Sequence, residues 1–255
     1  MGPRVTLLTD FGTADGYAAA MKGVIVARAP GLLIDDASHE IPPGDVRAAA
    51  WALDGYWRAY PPQTVHVVVV DPGVGSDRRP LCCEAEDRYF VGPDNGVFSR
   101  VLRAVPAAQV LAIDVVSLTD RAVSATFHGR DIFAPAAAHI AVTGTIEGLG
   151  RRITDPLMLA DAEPLKRAEG AIGAVIHVDR FGSLITNIPG HWLPAGSRAR
   201  IGTTVVPLLT TYADALPGQL LAIIGSRGVL EIAVRDGSAA ERLGAGPGVI
   251  VEIGG

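Results

Sequence analysis

The sequence predicts an α/β chain: an amino-terminal layered α/β domain with a mainly parallel sheet, followed by a smaller carboxyl-terminal all-β barrel. Three observations carry this reading. The β-branched run Val65 to Val70 empties into the glycine-punctuated loop Asp71 to Arg79, as expected of a strand buried on both faces inside a helix-covered sheet. Strand and helix patterns alternate as far as about Leu149. From Ala171 onward, short strand patterns crowd together and helix signals almost vanish.

The elements follow in order. Arg4 to Leu8 reads as a first strand and Asp15 to Ala29 as a helix with Tyr17, Met21, Val24 and Ile25 on one face. Leu32 to Ile34 is a short second strand. Asp45 caps the next helix, whose face carries Val46, Ala49, Ala50, Leu53 and Trp57, and Pro61 and Pro62 stop it. After the Val65 to Val70 strand come strands near Leu81 and Tyr89, a short helix after Asn95, a strand at Val110 to Ile113 and a helix from Asp131 to Val142, with Asp131 as its cap. We place the first domain at 1–154 and a Pro- and charge-rich connector at 155–170. The β domain, 171–255, has strands at Ala171 to Val178, Leu184 to Ile188, Ala199 to Leu208, Leu220 to Ile224, Val229 to Val234 and Gly248 to Ile253.

Composition narrows the function classes. Of 255 residues, 49% are hydrophobic and 19% charged, which excludes a disordered chain. The net charge of -5 argues against a nucleic-acid surface. Cys82 and Cys83 are adjacent, so they suit neither a disulfide nor a spaced zinc site and are expected as buried thiols. The segment Met1 to Leu8 lacks the pattern of a signal peptide and no stretch is long enough to span a bilayer, so a cytoplasmic location without a membrane partner is expected.

Four constellations carry chemistry. Asp71 stands at the carboxyl end of a buried strand with Arg78 beyond it, where ligands bind in open α/β sheets; Asp71-Pro72-Gly73 alone reads equally as a turn. Asp10, at the end of the first strand, suits a vicinal diol such as a ribose, while Asp15 suits a helix cap. His128, followed by Gly129, lies on a tight loop, so loops bearing Asp10, Asp71 and His128 converge if the strands are parallel neighbours. In the β domain, the turns Asp179 to Asn187 and Gly225 to Gly228 present polar groups between apolar strands. The loop with Asp35, Asp36 and His39 raises a metallohydrolase, but no second histidine stands at ligand spacing and the structural reading is preferred; no metal is expected.

The segments TDFGTADGY with MKGVI, SHEIPPGDV, TVHVVVVDPGVGSDRR, VGPDNG, FHGRDIFAPAAAHIA, DRFGSLITNI and GSRGVLEIAV, in this order, resemble the S-adenosyl-L-methionine hydroxide adenosyltransferase family, relatives of the fluorinase and chlorinase enzymes. The resemblance implies a homotrimer with active sites at subunit interfaces and attack of water on the 5′ carbon of S-adenosyl-L-methionine, releasing adenosine and L-methionine, with no cofactor. It implies Asp71, Arg78 and His128 as the water-activating triad and Asp10 on the ribose. Asp15, Asp179, Ser226 and Arg227 fall on the methionine part, and Tyr212, Phe181, Glu231 and the backbone near Val234 on the adenine. One departure stands out: the family motif continues Phe-Gly-Asn, whereas this chain has Ser183, whose hydroxyl cannot present the paired donor and acceptor of an amide.

Two alternatives are weighed on this fold. A halogenase must stabilise a partly desolvated anion, which the carboxylate of Asp71 would repel. A non-catalytic sensor of adenosine or S-adenosyl-L-methionine would need no proton acceptor at the reacting carbon. Hydrolysis is the preferred expectation.

Overall fold

The computed structural model describes residues 3–119, 122–160, 162–194 and 196–254. Met1, Gly2 and Gly255, at the ends of the predicted domains, and Asp161, inside the predicted connector, lie outside the described residues. The chain divides into two units, Met1–Leu159 and Ala160–Gly255.

The first unit runs β1 (Arg4–Thr9), α1 (Tyr17–Arg28), β2 (Leu33–Ser38), α2 (Val46–Tyr56), β3 (Thr64–Val69), β4 (Pro80–Ala85), β5 (Arg88–Pro93), α3 (Ser99–Ala104), β6 (Gln109–Ile113), α4 (Val115–Leu118), a π-helical turn at Gly129–Phe133, α5 (Ala134–Thr143) and β7 (Gly150–Arg152). Every residue of β3 is buried. Its side chains alternate between two cores: Val65, Val67 and Val69 pack with Met21 and Ile25 of α1 and the alanines of α5. Val68 and the following Val70 pack with Ala49 and Leu53 of α2 and Val101 of α3. Asp45 caps α2 as expected, its Oδ1 accepting from Ala48 N at 2.9 Å. Cys82 and Cys83 are buried free thiols, and burial pushes Cys82 up to about 12.

Among the described residues the sheet has the order β2-β1-β3-β5-β4-β6-β7. It is mixed rather than mainly parallel: β2, β1, β3 and β5 pair in parallel, and β5, β4, β6 and β7 pair antiparallel. The reason is local. Glu86 and Asp87 adopt left-handed backbone at φ 49° and 57°, closing a two-residue hairpin between β4 and β5, too short for a parallel crossover. Because β1 and β3 are parallel neighbours in register, the loops after Thr9 and after Val69 leave the same edge of the sheet.

The second unit contains β8 (Leu165–Arg167), β9 (Gly170–Val178), β10 (Leu184–Pro189), β11 (Arg198–Ile201), β12 (Thr204–Pro207), β13 (Leu220–Ile224), β14 (Val229–Val234), α6 (Ala239–Leu243) and β15 (Ile250–Gly254). The predicted connector thus ends in a strand, and the predicted strand Ala199 to Leu208 is a hairpin turning at Gly202, φ 56°. The sheet order is β12-β11-β15-β9-β10-β14-β13, with β8 also on β9. Leu208 bridges Ala222, and Leu209 N donates to Ala222 O at 2.8 Å, so the sheet is nearly barrel-shaped. The helix α6, absent from the all-β expectation, starts from the Ser238 side chain, which accepts from Glu241 N at 3.1 Å.

His66, in the middle of β3, is fully buried, stacked on Phe90 at 5.2 Å and bonded through Nδ1 to Thr6 Oγ1 at 2.9 Å. Burial, reinforced by Arg88, lowers its pKa from 6.5 to about 3. Between those values the unfolded chain binds the proton that the folded chain refuses, so stability rises with pH through this window, is full above 6.5 and is lost toward 3. The gap corresponds to on the order of 5 kcal/mol. Denaturant titrations from pH 7 to 4 should show a steep acid loss that His66→Gln flattens; an unchanged slope in the variant would assign the acid limb to other groups.

Candidate functional site

The loop after β3 folds back on itself. Val74 N donates to Asp71 O at 3.2 Å, Ser76 N to Gly73 O at 3.1 Å, and Arg78 N to Ser76 Oγ at 3.3 Å, so these turns return Arg78 to Asp71. Asn95 Nδ2 donates to Val70 O at 2.8 Å and fixes the strand end. Arg78 Nε donates to both Asp71 oxygens at 3.0 Å, and Arg78 Nη2 donates to Oδ2 as well. The two side chains are 9% and 5% exposed, so this ion pair is screened little by solvent. Beneath it lies the buried ring of Phe133, 5.3 Å from the guanidinium carbon.

His128 joins the pair. Arg78 Nη2 stands 2.6 Å from His128 Nδ1. A guanidinium has no acceptor, so Nδ1 takes the hydrogen bond and the imidazole is neutral, with its proton on Nε2. Burial and, next, the Arg78 charge lower the His128 pKa, which agrees with that tautomer. Gly75 explains the meeting of the two loops: at φ 79° a Cβ there would stand 2.5 Å from Ala125 O, so only glycine lets this loop approach the segment leading to His128. Asp131 does not cap a helix. It sits inside the π-helical turn, where Oδ2 accepts from Ser124 N at 2.9 Å and ties the same segment.

Asp10, Asp71 and His128 line one cleft of about 340 Å³, together with Phe11 and Phe127. The preceding acidic loop acts as a clamp: Gly44 N donates to Asp10 Oδ2 at 2.8 Å, and Gly12 N donates to His39 O at 2.8 Å. His39 is buried with Nδ1 on Thr9 Oγ1 at 2.8 Å, while Nε2 lies 3.0 Å from Asp36 Oδ1 without hydrogen-bond alignment. Asp36 also holds Lys22 at 2.6 Å, and Asp35 pairs with Arg4. These acids are engaged in ion pairs, and no group of three metal-type ligands forms among the described residues. Asp15 is exposed in the β1–α1 loop, and the start of α1 is capped by left-handed Gly16 rather than by its side chain.

In the second unit, Phe181, Ser183, Tyr212 and Val234 line another cleft, of about 680 Å³. Asp179 Oδ1 accepts from Phe181 N at 2.9 Å and Ser183 N at 2.8 Å, building the turn that presents Phe181. Glu231 is the hub: its Oε2 accepts from Tyr212 Oη at 3.2 Å, and burial, with a contribution from Asp179, raises its pKa while Tyr212 and Arg227 lower it. Gly225 makes room, since a Cβ there would collide with the Glu231 carboxyl. Ser226 and Arg227 are exposed on the β13–β14 turn. The triad and Asp10 are thus gathered in one unit, and the residues expected on methionine and adenine in the other, apart from Asp15.

Sequence reading missed Phe11, Phe127 and the Gly44 clamp around Asp10, and Arg235 and Asp236 in the second cleft. The Arg235-Asp236-Gly237 turn following a strand was the available signal.

Residues 5–150 match the SAM hydroxide adenosyltransferase N-terminal domain, and residues 173–252 match the SAM hydroxide adenosyltransferase C-terminal domain. The chain is 39% identical to the (R)-S-adenosyl-L-methionine hydrolase of Thermus thermophilus, covering 98% of each chain. It is 38% identical to the enzyme of the same name from Salinispora tropica, covering 96% of this chain and 95% of the relative. A fluorinase from an Actinoplanes species is more distant, at 26% identity over 91% of this chain and 90% of its own. The crystal structure of an uncharacterised conserved protein from Thermotoga maritima superposes with a TM-score of 0.91 at 36% identity, covering 98% of this chain and all of that one. This chain belongs to the SAM hydroxide adenosyltransferase family.

Proposed function

We propose that Asp71, Arg78 and His128 activate the water that cleaves S-adenosyl-L-methionine at its 5′ carbon. The activity expected from the sequence agrees with the hydrolase relatives: the chain is an S-adenosyl-L-methionine hydrolase, yielding adenosine and L-methionine. The departing sulfonium becomes a neutral thioether and needs no acid. What the reaction requires is an aligned water and a place for its proton.

The observation that carries the reading is the guanidinium shared between a carboxylate and an imidazole at a strand-end cleft. Since Nδ1 of His128 is occupied by Arg78, Asp71 is the group with lone pairs left to take the proton, and Arg78 orients that carboxylate. His128 holds the guanidinium in place from the other side. Asp10, with one oxygen on Gly44 N, has its other oxygen for the ribose hydroxyls. The adenine lies in the second-unit cleft against Tyr212 and Phe181 beside Val234, and the methionine part is met by Asp15, Asp179, Ser226 and Arg227. The protein assembles as a homotrimer with sites formed where subunits meet, and the reaction uses neither a cofactor nor a metal. Halogenation is disfavoured because Asp71 would repel the halide, and the fluorinase similarity is the weaker one.

Asp71→Asn keeps the shape and removes the charge. It should lower kcat by about 10²–10⁴ with adenosine affinity nearly unchanged, and Arg78→Ala and His128→Ala should lose at least the lower part of that range. Steady-state kinetics with calorimetry separates rate from affinity, and near wild-type kcat in all three variants would remove the triad from the mechanism.

The direction of the His128 pKa predicts the acid limb. Protonation fills Nδ1, breaks the Arg78 hydrogen bond and sets two cations together, so kcat/KM should fall as pH drops through a midpoint below 6.5 and level off above it. A midpoint above 6.5 that disappears in His128→Ala would mean instead that the imidazole works in its charged form.

A further inference from the structure

The second-unit cleft contains a carboxylate that the proposed reaction does not use. Phe181 and Tyr212, 79% and 45% exposed, present two aromatic rings there, suited to a planar base. Two polar groups beside them are engaged within the unit. Tyr212 Oη donates to Glu231 at 3.2 Å, and the Arg235 guanidinium donates to Ala213 O at 3.1 Å and Ala215 O at 2.7 Å. These bonds hold the turn bearing Tyr212 in place but take up the groups that would otherwise read a base edge.

Asp236 differs. Its side chain is 72% exposed on the cleft, and Arg235 Nε stands 3.7 Å from its Oδ2, beyond hydrogen-bond length. Its backbone is left-handed at φ 60°, a conformation that Gly adopts more easily. The turn enforces it: Gly218 N donates to Arg235 O at 2.7 Å, Arg235 N to Gln219 O at 3.0 Å, and Val234 bridges Gly237. The result is an acceptor-only group carried on a held backbone at the rim of the cleft that Phe181 and Tyr212 line.

We propose that Asp236 is a specificity-determining residue for the base, its carboxylate accepting a hydrogen bond from the exocyclic 6-amino group of adenine. This rests on the reading of the cleft as the adenosine site and adds to it the residue that distinguishes one purine from another. It also supplies selectivity where Ser183 lacks the paired donor and acceptor of an amide.

The test compares binding of adenosine and of purine riboside, which lacks only the 6-amino group, to the full chain by calorimetry, with S-adenosyl-L-methionine consumption measured on the same wild-type sample. A hydrogen bond to a charged acceptor makes the wild type prefer adenosine by about tenfold or more. In Asp236→Gly, which suits the left-handed backbone and so protects the fold, the ratio should fall to about one; Asp236→Asn, whose amide oxygen still accepts, should restore part of it. Asp236→Gly with the wild-type ratio, or a wild type without preference, would overturn the role of Asp236. A wild type that consumes no S-adenosyl-L-methionine would overturn the hydrolase reading itself.

Discussion

The first-unit site depends on the guanidinium of Arg78. It donates through Nε and Nη2 to Asp71 and through Nη2 to His128, and the Asp71 and Arg78 side chains are almost wholly withdrawn from water. Burying such a pair costs several kcal/mol of desolvation per ion, and the cost is offset only when the geometry and the extra hydrogen bonds are good. Here both carboxylate oxygens and the imidazole nitrogen face one planar donor, which fixes all three groups relative to one another. A histidine that receives a bond from arginine is neutral, which leaves the carboxylate as the base of the proposed reaction.

The rest of the first unit serves to bring those three residues to one edge. Parallel pairing of β1 with β3 sends their loops out together, the apolar side chains on both faces of β3 lock that strand between two helical layers, and Asn95 holds its end. Gly75 admits the His128 segment, while Gly44 fixes Asp10 beside it. Phe133, buried under Arg78, begins the link from the site into the core of α1 and α5. The second unit works differently. Its cleft is built on hairpin turns, and its polar side chains bond mostly to backbone, Asp179 to the amides of its own turn and Arg235 to the carbonyls of Ala213 and Ala215, with Tyr212 on Glu231.

Much of this was legible in the residues. The β-branched run Val65 to Val70 read as a strand buried on both faces and is one, and the π-helical turn that begins at Gly129 lies where a helix start was read. What was not legible depended on pairings distant in sequence. The antiparallel half of the sheet follows from two left-handed residues, Glu86 and Asp87, neither of them glycine, so the hairpin carries no strong turn signature. Asp131 looked like a cap because it precedes an apolar helical pattern, yet its carboxylate accepts from the Arg130 guanidinium and from Ser124 N, seven residues earlier. Asp179 reads as a ligand group, but its Oδ1 is taken by the amides of Phe181 and Ser183 in its own turn, and only coordinates reveal that competition.

In the proposed reaction a water oxygen attacks the 5′ carbon of S-adenosyl-L-methionine. Turnover in heavy-oxygen water followed by mass analysis of both products tests it most directly. One heavy oxygen is expected in the 5′ hydroxyl of adenosine and none in methionine. Label in methionine, or a 5′ product other than adenosine, would contradict it.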